Sequence, residues 1–167
     1  MAKLKTKTVA RRETLALLAG AAFMPLLSAC GQASATARSY PIKHSDAEWQ
    51  RRLTKAQYRV LRQQATERRF TSPLNDEKRT GTYHCAGCDS QVYSSKTKYD
   101  SKTGWPSFWR ALPGAVGKDT DYKIGYPRTE VHCADCGGHL GHIFSDGPRP
   151  TGERHCINGV ALKFRPA

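Results

Sequence analysis

The sequence predicts a small, zinc-stabilised, mainly β domain behind a short helical lead-in, and three observations predict it. Two CxxC pairs, Cys85/Cys88 and Cys133/Cys136, have the spacing of a four-thiolate metal site in which each tight turn presents two sulfurs. Glycine and proline recur from Pro73 to Pro127 and beyond, with short β-type runs between them. Ahead of this region, Ser45 with Glu48 and Thr54 with Gln57 each have capping-box spacing. At 167 residues the chain is long enough for one domain plus extra segments.

The extra segment is at the front. Lys3, Lys5, Lys7, Arg11 and Arg12 form a basic start, followed by an uncharged run over 15–27 that is too short for a permanent membrane span. Residues 1–35 therefore read as an export signal. The adjacent Arg11-Arg12 with Leu15 following is like a twin-arginine signal, which exports proteins already folded. Leu27-Ser28-Ala29-Cys30 resembles a lipoprotein box in which Cys30 would carry lipid, and Ala33-Ser34-Ala35 offers a competing cleavage site. The expected location is exported: periplasmic, or membrane-anchored on the extracytoplasmic side. Residues 36–44 read as a linker and 45–167 as the domain.

The formal charge of +13 invites a nucleic-acid reading, but the five basic residues and one acid of residues 1–30 leave +9 for the rest. Much of that is in Arg51, Arg52, Lys55, Arg59, Arg62, Arg68 and Arg69, on the expected helices. A basic helical face is most often simply solvated, and in an exported protein nucleic acid is the least suited partner. No nucleic-acid partner is expected, and the default assembly is a monomer.

The capping boxes predict helices over roughly 46–52 and 55–66, with Trp49, Leu53, Val60 and Leu61 available to the core. Thr82-Tyr83-His84, Gln91-Val92-Tyr93, Glu130-Val131-His132 and Leu162-Lys163-Phe164 read as strands. No internal repeat appears beyond the two CxxC turns.

For Cys85, Cys88, Cys133 and Cys136 the competing readings are one structural zinc and two disulfides, which an exported protein could form. The glycines after Cys136 favour metal, because they let the backbone turn its amides toward the sulfurs. Folding before export would also let zinc occupy the thiolates in a reducing compartment. A four-sulfur site is coordinatively closed and would not activate water. That leaves Cys156, within Arg154-His155-Cys156-Ile157-Asn158. A lone cysteine in a strand is commonly a small core residue. Here Arg154 and Asn158 would share its face, and a neighbouring cation would lower its pKa and make it a nucleophile. His139 and His142 could deliver a proton near neutral pH, or simply bond to backbone.

These residues together carry a resemblance. Gly104-Trp105-Pro106-Ser107-Phe108, the two CxxC pairs, His139-Leu140-Gly141-His142 with Asp146-Gly147-Pro148, and Arg154-His155-Cys156-Ile157-Asn158 are similar, in order and spacing, to the methionine sulfoxide reductase B family over about residues 45–166. The resemblance implies two packed antiparallel sheets with short N-terminal helices, and a zinc ion joining the CxxC hairpins. It implies reduction of the R epimer of methionine sulfoxide in proteins or peptides. Cys156 matches the nucleophile, and His139, His142 and Asn158 match site residues, a histidine being the proton source. Trp105 matches the wall that receives the substrate methyl group, with Phe108 in the same motif and Arg154 favouring the thiolate. Many members carry a resolving cysteine just before Gly-Trp-Pro, where this chain has Thr103. A single-cysteine enzyme is expected, its sulfenic acid reduced by a thioredoxin-like or other external thiol. The rival classes are a zinc-ribbon-like binding module, in which Cys156 is inert, and a zinc hydrolase or deaminase. The last lacks a glutamate in an HxE or HExxH setting.

Overall fold

The computed structural model describes residues 39–167. The export signal expected over 1–35, with Arg11, Arg12 and Cys30, lies outside the described residues. Among the described residues no helix is long and apolar enough to cross a membrane.

The chain begins with α1 (Asp46–Arg52) and α2 (Lys55–Gln63). Each is started by the anticipated capping box: Ser45 and Thr54 accept from the backbone N–H groups of Glu48 and Gln57, whose side chains accept from the cap N–H in return. The second helix is shorter than the expected 55–66. Gln64 adopts a left-handed conformation (φ 53°) and donates its N–H to Arg59 and Val60, closing the helix there. Trp49, Leu53, Val60 and Leu61 are all buried.

Nine strands follow: β1 (Gly81–Cys85), β2 (Gln91–Ser94), β3 (Lys98–Tyr99), β4 (Ser107–Phe108), β5 (Val116–Asp121), β6 (Arg128–Cys133), β7 (His139–Phe144), β8 (Arg154–Ile157) and β9 (Leu162–Pro166). They form two antiparallel sheets, one ordered β2-β1-β9 and the other β3-β4-β8-β7-β6-β5. The sheets meet through aromatic contacts: Phe108 stacks on Tyr93 with ring centres 4.3 Å apart and takes the edge of Tyr83 at 4.9 Å. Tyr83, Tyr93 and Phe108 are fully buried, with Val92, Val131, Leu140 and Ile157 around them.

The linker expected over 36–44 is packed against the domain from Tyr40 onward. The Tyr40 ring lies edge-on to His132 at 5.8 Å, Ile42 donates its N–H to Asp135 at 2.8 Å, and His44 packs on Trp49. Aromatic and aliphatic side chains in a segment otherwise polar and aperiodic give it something to bury.

Candidate active site

Each CxxC turn follows a strand, Cys85 ending β1 and Cys133 ending β6, so one pair belongs to each sheet. The two turns share one hydrogen-bond plan. Cys85 donates its N–H to Ser90 and accepts at its carbonyl from Asp89, both at 2.8 Å; Cys133 does the same with Gly138 and Gly137 at 2.9 Å. Asp89 and Gly137 each follow a second cysteine and take the left-handed conformation, at φ 69° and 67°. A side chain at Gly137 would strike the Tyr40 ring, which adds a packing reason for glycine there.

The four sulfurs lie within 4.8 Å of one another and form a group that could hold a metal ion. The separations of Cys85 Sγ from Cys136 Sγ (3.7 Å) and of Cys88 Sγ from Cys133 Sγ (3.5 Å) are far too long for disulfides. A tetrahedral ion bonded to four thiolates at about 2.3 Å sets sulfur–sulfur edges of about 3.8 Å, so the residues fit a four-sulfur zinc site.

The second site lies on one face of the six-stranded sheet, and strand register builds it. Cys156 on β8 sits directly opposite His142 on β7 and Ser107 on β4. Directly opposed residues share a face, as do residues two apart, so Arg154, Cys156, His142 and Phe144 point the same way. His155, Ile157 and Phe108 point to the other side, into the core. Phe108, expected with Trp105 at the substrate, is thus a core residue between the sheets and does not line the cavity.

His139 and His142 are three apart, which in a regular strand would put them on opposite faces. The β6–β7 ladder slips between Val131 and His132: Val131 pairs with Gly141, and His132 with His139, leaving Leu140 as the extra residue. The irregularity brings Glu130, His132, His139 and His142 to one face.

A cavity of about 100 Å³ is lined by Thr66, Trp105, Arg128, Gly141, His142, Phe144, Cys156 and Asn158. At Gly141 a Cβ would come within 2.0 Å of the Cys156 carbonyl oxygen, so only glycine lets β7 approach β8 this closely. His139 is not on the wall but stands behind His142, ring centres 5.2 Å apart, with Nδ1 on Glu130 at 2.6 Å and Nε2 buried without a partner. A larger hollow of about 540 Å³, bordered by Thr82, Ser95, Thr97, Arg110 and Leu112, contains no cysteine or histidine.

Several groups around the cavity escaped the sequence reading. Asp121, at the end of β5, accepts from His142 Nε2 at 2.8 Å and is paired with Arg128. The Lys123 backbone N–H on its carboxylate, helped by His142 and Arg128 against some burial, holds Asp121 down to about 2. Burial pushes the His142 imidazole below its ordinary value, and the bond to Asp121 opposes that shift. Glu130 also stays anionic: burial raises its pKa, but His139, His132 and Gln64 outweigh it and the balance is lowered.

Glu67 is the other unforeseen residue. Its carbonyl accepts from Trp105 Nε1 at 2.9 Å, its N–H donates to Asn158 Oδ1 at 2.8 Å, and its carboxylate accepts from Gly159 N at 2.6 Å. Asn158 also donates from Nδ2 to Leu140 O at 2.9 Å, so its amide ties the cavity's segments together. No sequence signal marked Glu67 or Asp121, whose partners are remote in the chain.

The environment of Cys156 departs from the simple expectation of a lowered pKa. Burial pushes the thiol up, and this outweighs the Arg154 charge and the hydrogen bonds from Thr103 and Arg154 that pull it down. Arg154 is itself held by Asp146, at 2.9 and 3.0 Å, and lies over the Phe144 ring at 4.4 Å. Thr103 is near enough to the Cys156 thiol to lower its pKa, so a hydroxyl stands where a thiol could have approached this sulfur. The remaining described cysteines are the four of the sulfur cluster.

Residues 53–166 match the SelR domain family. The "Peptide methionine sulfoxide reductase MsrB" of Leptospira interrogans is 51% identical over 128 residues, covering 76% of this chain and 98% of the relative. The protein of the same name from Leifsonia xyli is 52% identical over 129 residues, covering 76% of this chain and 93% of its own. This chain belongs to the methionine sulfoxide reductase B family. Within that family's fold, the described residues present one cysteine beside an imidazole and a guanidinium group, and four others clustered together, one of them also on the Ser90 hydroxyl.

Proposed function

We propose that this protein reduces the R epimer of methionine sulfoxide in proteins and peptides, with Cys156 as its only reacting thiol. The observation that carries the reading is the cross-strand pairing of Cys156 with His142 on the wall of a cavity that Trp105 also lines. The substrate methyl group would lie against the indole, where sulfur–aromatic contacts contribute about 0.3–1.5 kcal/mol. Trp105 is fixed for this by its bond to Glu67.

Burial keeps the Cys156 thiol protonated at neutral pH, so its proton is available to the reaction. Sγ attacks the sulfoxide sulfur, the thiol proton passes to the sulfoxide oxygen with His142 as carrier, and the hydroxyl moves from the substrate sulfur to Sγ as the transient Sγ–S bond breaks. Methionine is released and Cys156 is left as a sulfenic acid, two electrons having moved from the cysteine to the substrate. Asp121 holds Nε2 of His142, which directs the other ring nitrogen to proton transfer. With Thr103 at its side, the sulfenic acid has no thiol to close on among the described residues outside the four-sulfur group. Two external thiols, or one thioredoxin-like dithiol, then return Cys156 to the thiol with release of water and a disulfide.

We further propose that the four-cysteine group holds one structural zinc, which supplies no chemistry and ties the two sheets together. The basic start with Arg11-Arg12, the apolar run over 15–27 and Cys30 support export and lipid anchoring outside the cytoplasm. Mass analysis of the N-terminus from native membranes checks this; an intact Met1 start would refute it. Activity is tested with epimer-resolved methionine sulfoxide peptides and dithiothreitol. Turnover of R and not S is expected, and mass spectrometry without reductant should find Cys156 oxidised with no disulfide. Consumption of the S epimer, or a Cys156 disulfide, would overturn the mechanism.

A further inference from the structure

Among the described residues four large apolar side chains are left exposed: Phe70 (65%), Tyr122 (67%), Ile124 (50%) and Tyr126 (58%). Scattered exposed apolar residues need no explanation, but Phe70 and Tyr126 each line a hollow that adjoins the cavity, and Tyr122 and Ile124 share a turn with Tyr126. Tyr122, Ile124 and Tyr126 form the turn between β5 and β6, whose base carries Asp121 and Arg128 beside His142. A hollow of about 380 Å³ bordered by Tyr126, Pro127, Ile143 and Glu153 shares Arg128 and Phe144 with the catalytic cavity. Phe70 stands on the other side, its N–H on the Gly104 carbonyl at 2.7 Å, in a second hollow that shares Trp105 with the cavity.

The turn is held in this exposed position. Arg128 is paired with Asp121 across its base, Gly125 donates to Tyr122 O at 3.0 Å within it, and Lys123 Nζ donates to the Gln63 and Gln64 carbonyls at the end of α2 at 3.3 Å. Arg128, between the Tyr126 hollow and the cavity, has its Nε buried without a hydrogen-bond partner.

We propose that Phe70 on one side of the cavity, and Tyr122, Ile124 and Tyr126 on the other, bind the apolar residues flanking an oxidised methionine in an unfolded polypeptide. This surface would direct the enzyme to hydrophobic segments exposed by misfolding. The proposal rests on the reductase reading and adds a substrate class to it. Continuity of both hollows with the catalytic cavity favours a polypeptide over a lipid surface or a second copy of the chain.

The test compares three substrates: N-acetyl-methionine-R-sulfoxide amide, a pentapeptide with leucine and phenylalanine around the sulfoxide, and one with serine and glycine. They are assayed with the unaltered protein, with Tyr122→Ser/Tyr126→Ser, and with that pair plus Phe70→Ser and Ile124→Ser. Burial of two flanking side chains should give the apolar peptide about a tenfold advantage in kcat/KM, mostly through KM. The quadruple variant should remove that advantage, the double variant should reduce it, and turnover of the capped amino acid should be unchanged. No reduction of the capped amino acid by the unaltered protein would defeat the reductase reading, and this proposal with it. Turnover with no peptide preference, or with a preference that survives the quadruple change, would defeat the proposal alone. Equal slowing on all three substrates would mean that these side chains shape the cavity. If the preference persists while the variant loses binding to phosphatidylglycerol vesicles or loses a concentration-dependent dimer, the surface faces lipid or a second copy instead.

Discussion

The four-sulfur group and the Cys156 site use the same atom to opposite ends, and the difference is in what each sulfur faces. At the first, two turns with one hydrogen-bond plan bring four sulfurs within 4.8 Å of one another, with the Ser90 hydroxyl also on Cys88 Sγ at 3.2 Å. Thiols this crowded cannot all ionise without a cation among them, so the arrangement favours metal and closes the sulfurs to chemistry. At the second, one sulfur stands on a strand between Arg154 and Asn158, opposite a histidine held by an anionic aspartate. Its ionisation is set by burial against a guanidinium and a hydroxyl, which leaves it a proton to give. On the proposed reading, neighbours rather than residue type decide which sulfur reacts.

The comparison is broken most sharply by removing one sulfur from each region. Cys156→Ser should lower turnover by at least about a thousandfold, as expected when a nucleophile is removed, while metal content and the thermal midpoint stay unchanged. Residual turnover above that level, in a peptide assay with excess dithiothreitol, would put the chemistry elsewhere. Cys133→Ser should do the reverse in kind: bound zinc is lost, and the midpoint falls by more than about 10 °C because metal binding is folding free energy. Elemental analysis with calorimetry reads both. A folded variant with an unmoved midpoint would make the sulfur group dispensable for stability.

Asp121→Asn gives the smaller effect and sharpens the comparison within the reactive region. The carboxylate raises the His142 pKa against burial, so its removal lowers that pKa further. Neutral His142 takes the thiol proton before passing it on, so activity is full above the imidazole pKa and is lost as pH falls through it. The variant should then keep its activity to lower pH on the acid side, with kcat at the plateau down by about 10–100-fold and KM little changed. A uniform loss with an unshifted pH profile would assign Asp121 to packing alone.

Much of this could be seen in the chain itself, for physical reasons that differ by element. The two capping boxes and the CxxC turns are local, and local hydrogen bonding determined them, including the start of each helix. The end of α2 was overshot because Gln64 gives no compositional sign that it takes the left-handed conformation. Cys156, His142, Asn158 and Trp105 stood out through motifs, and the fold gathers them in one cavity. Phe108 was misdirected by motif membership, although alternation would have sent it to the core once Ser107 was known to oppose Cys156. Asp121 and Glu67 act across 21 and 91 residues of sequence, so only pairing and register reveal them. The Cys156 thiol was misjudged in direction because charged neighbours can be counted in a sequence and burial cannot.

The extra residue in β7 has a consequence for how this site can change. With Leu140 looped into the ladder, the spacing His-x-x-His places both rings on the working side of the sheet; with His-x-His or His-x-x-x-His, regular pleating would do so unaided. The odd interval is thus the imprint of a frameshift in strand geometry. An insertion or deletion that changes this count by one keeps both rings on that side only if it also removes the irregularity, so the interval and the bulge can change only together.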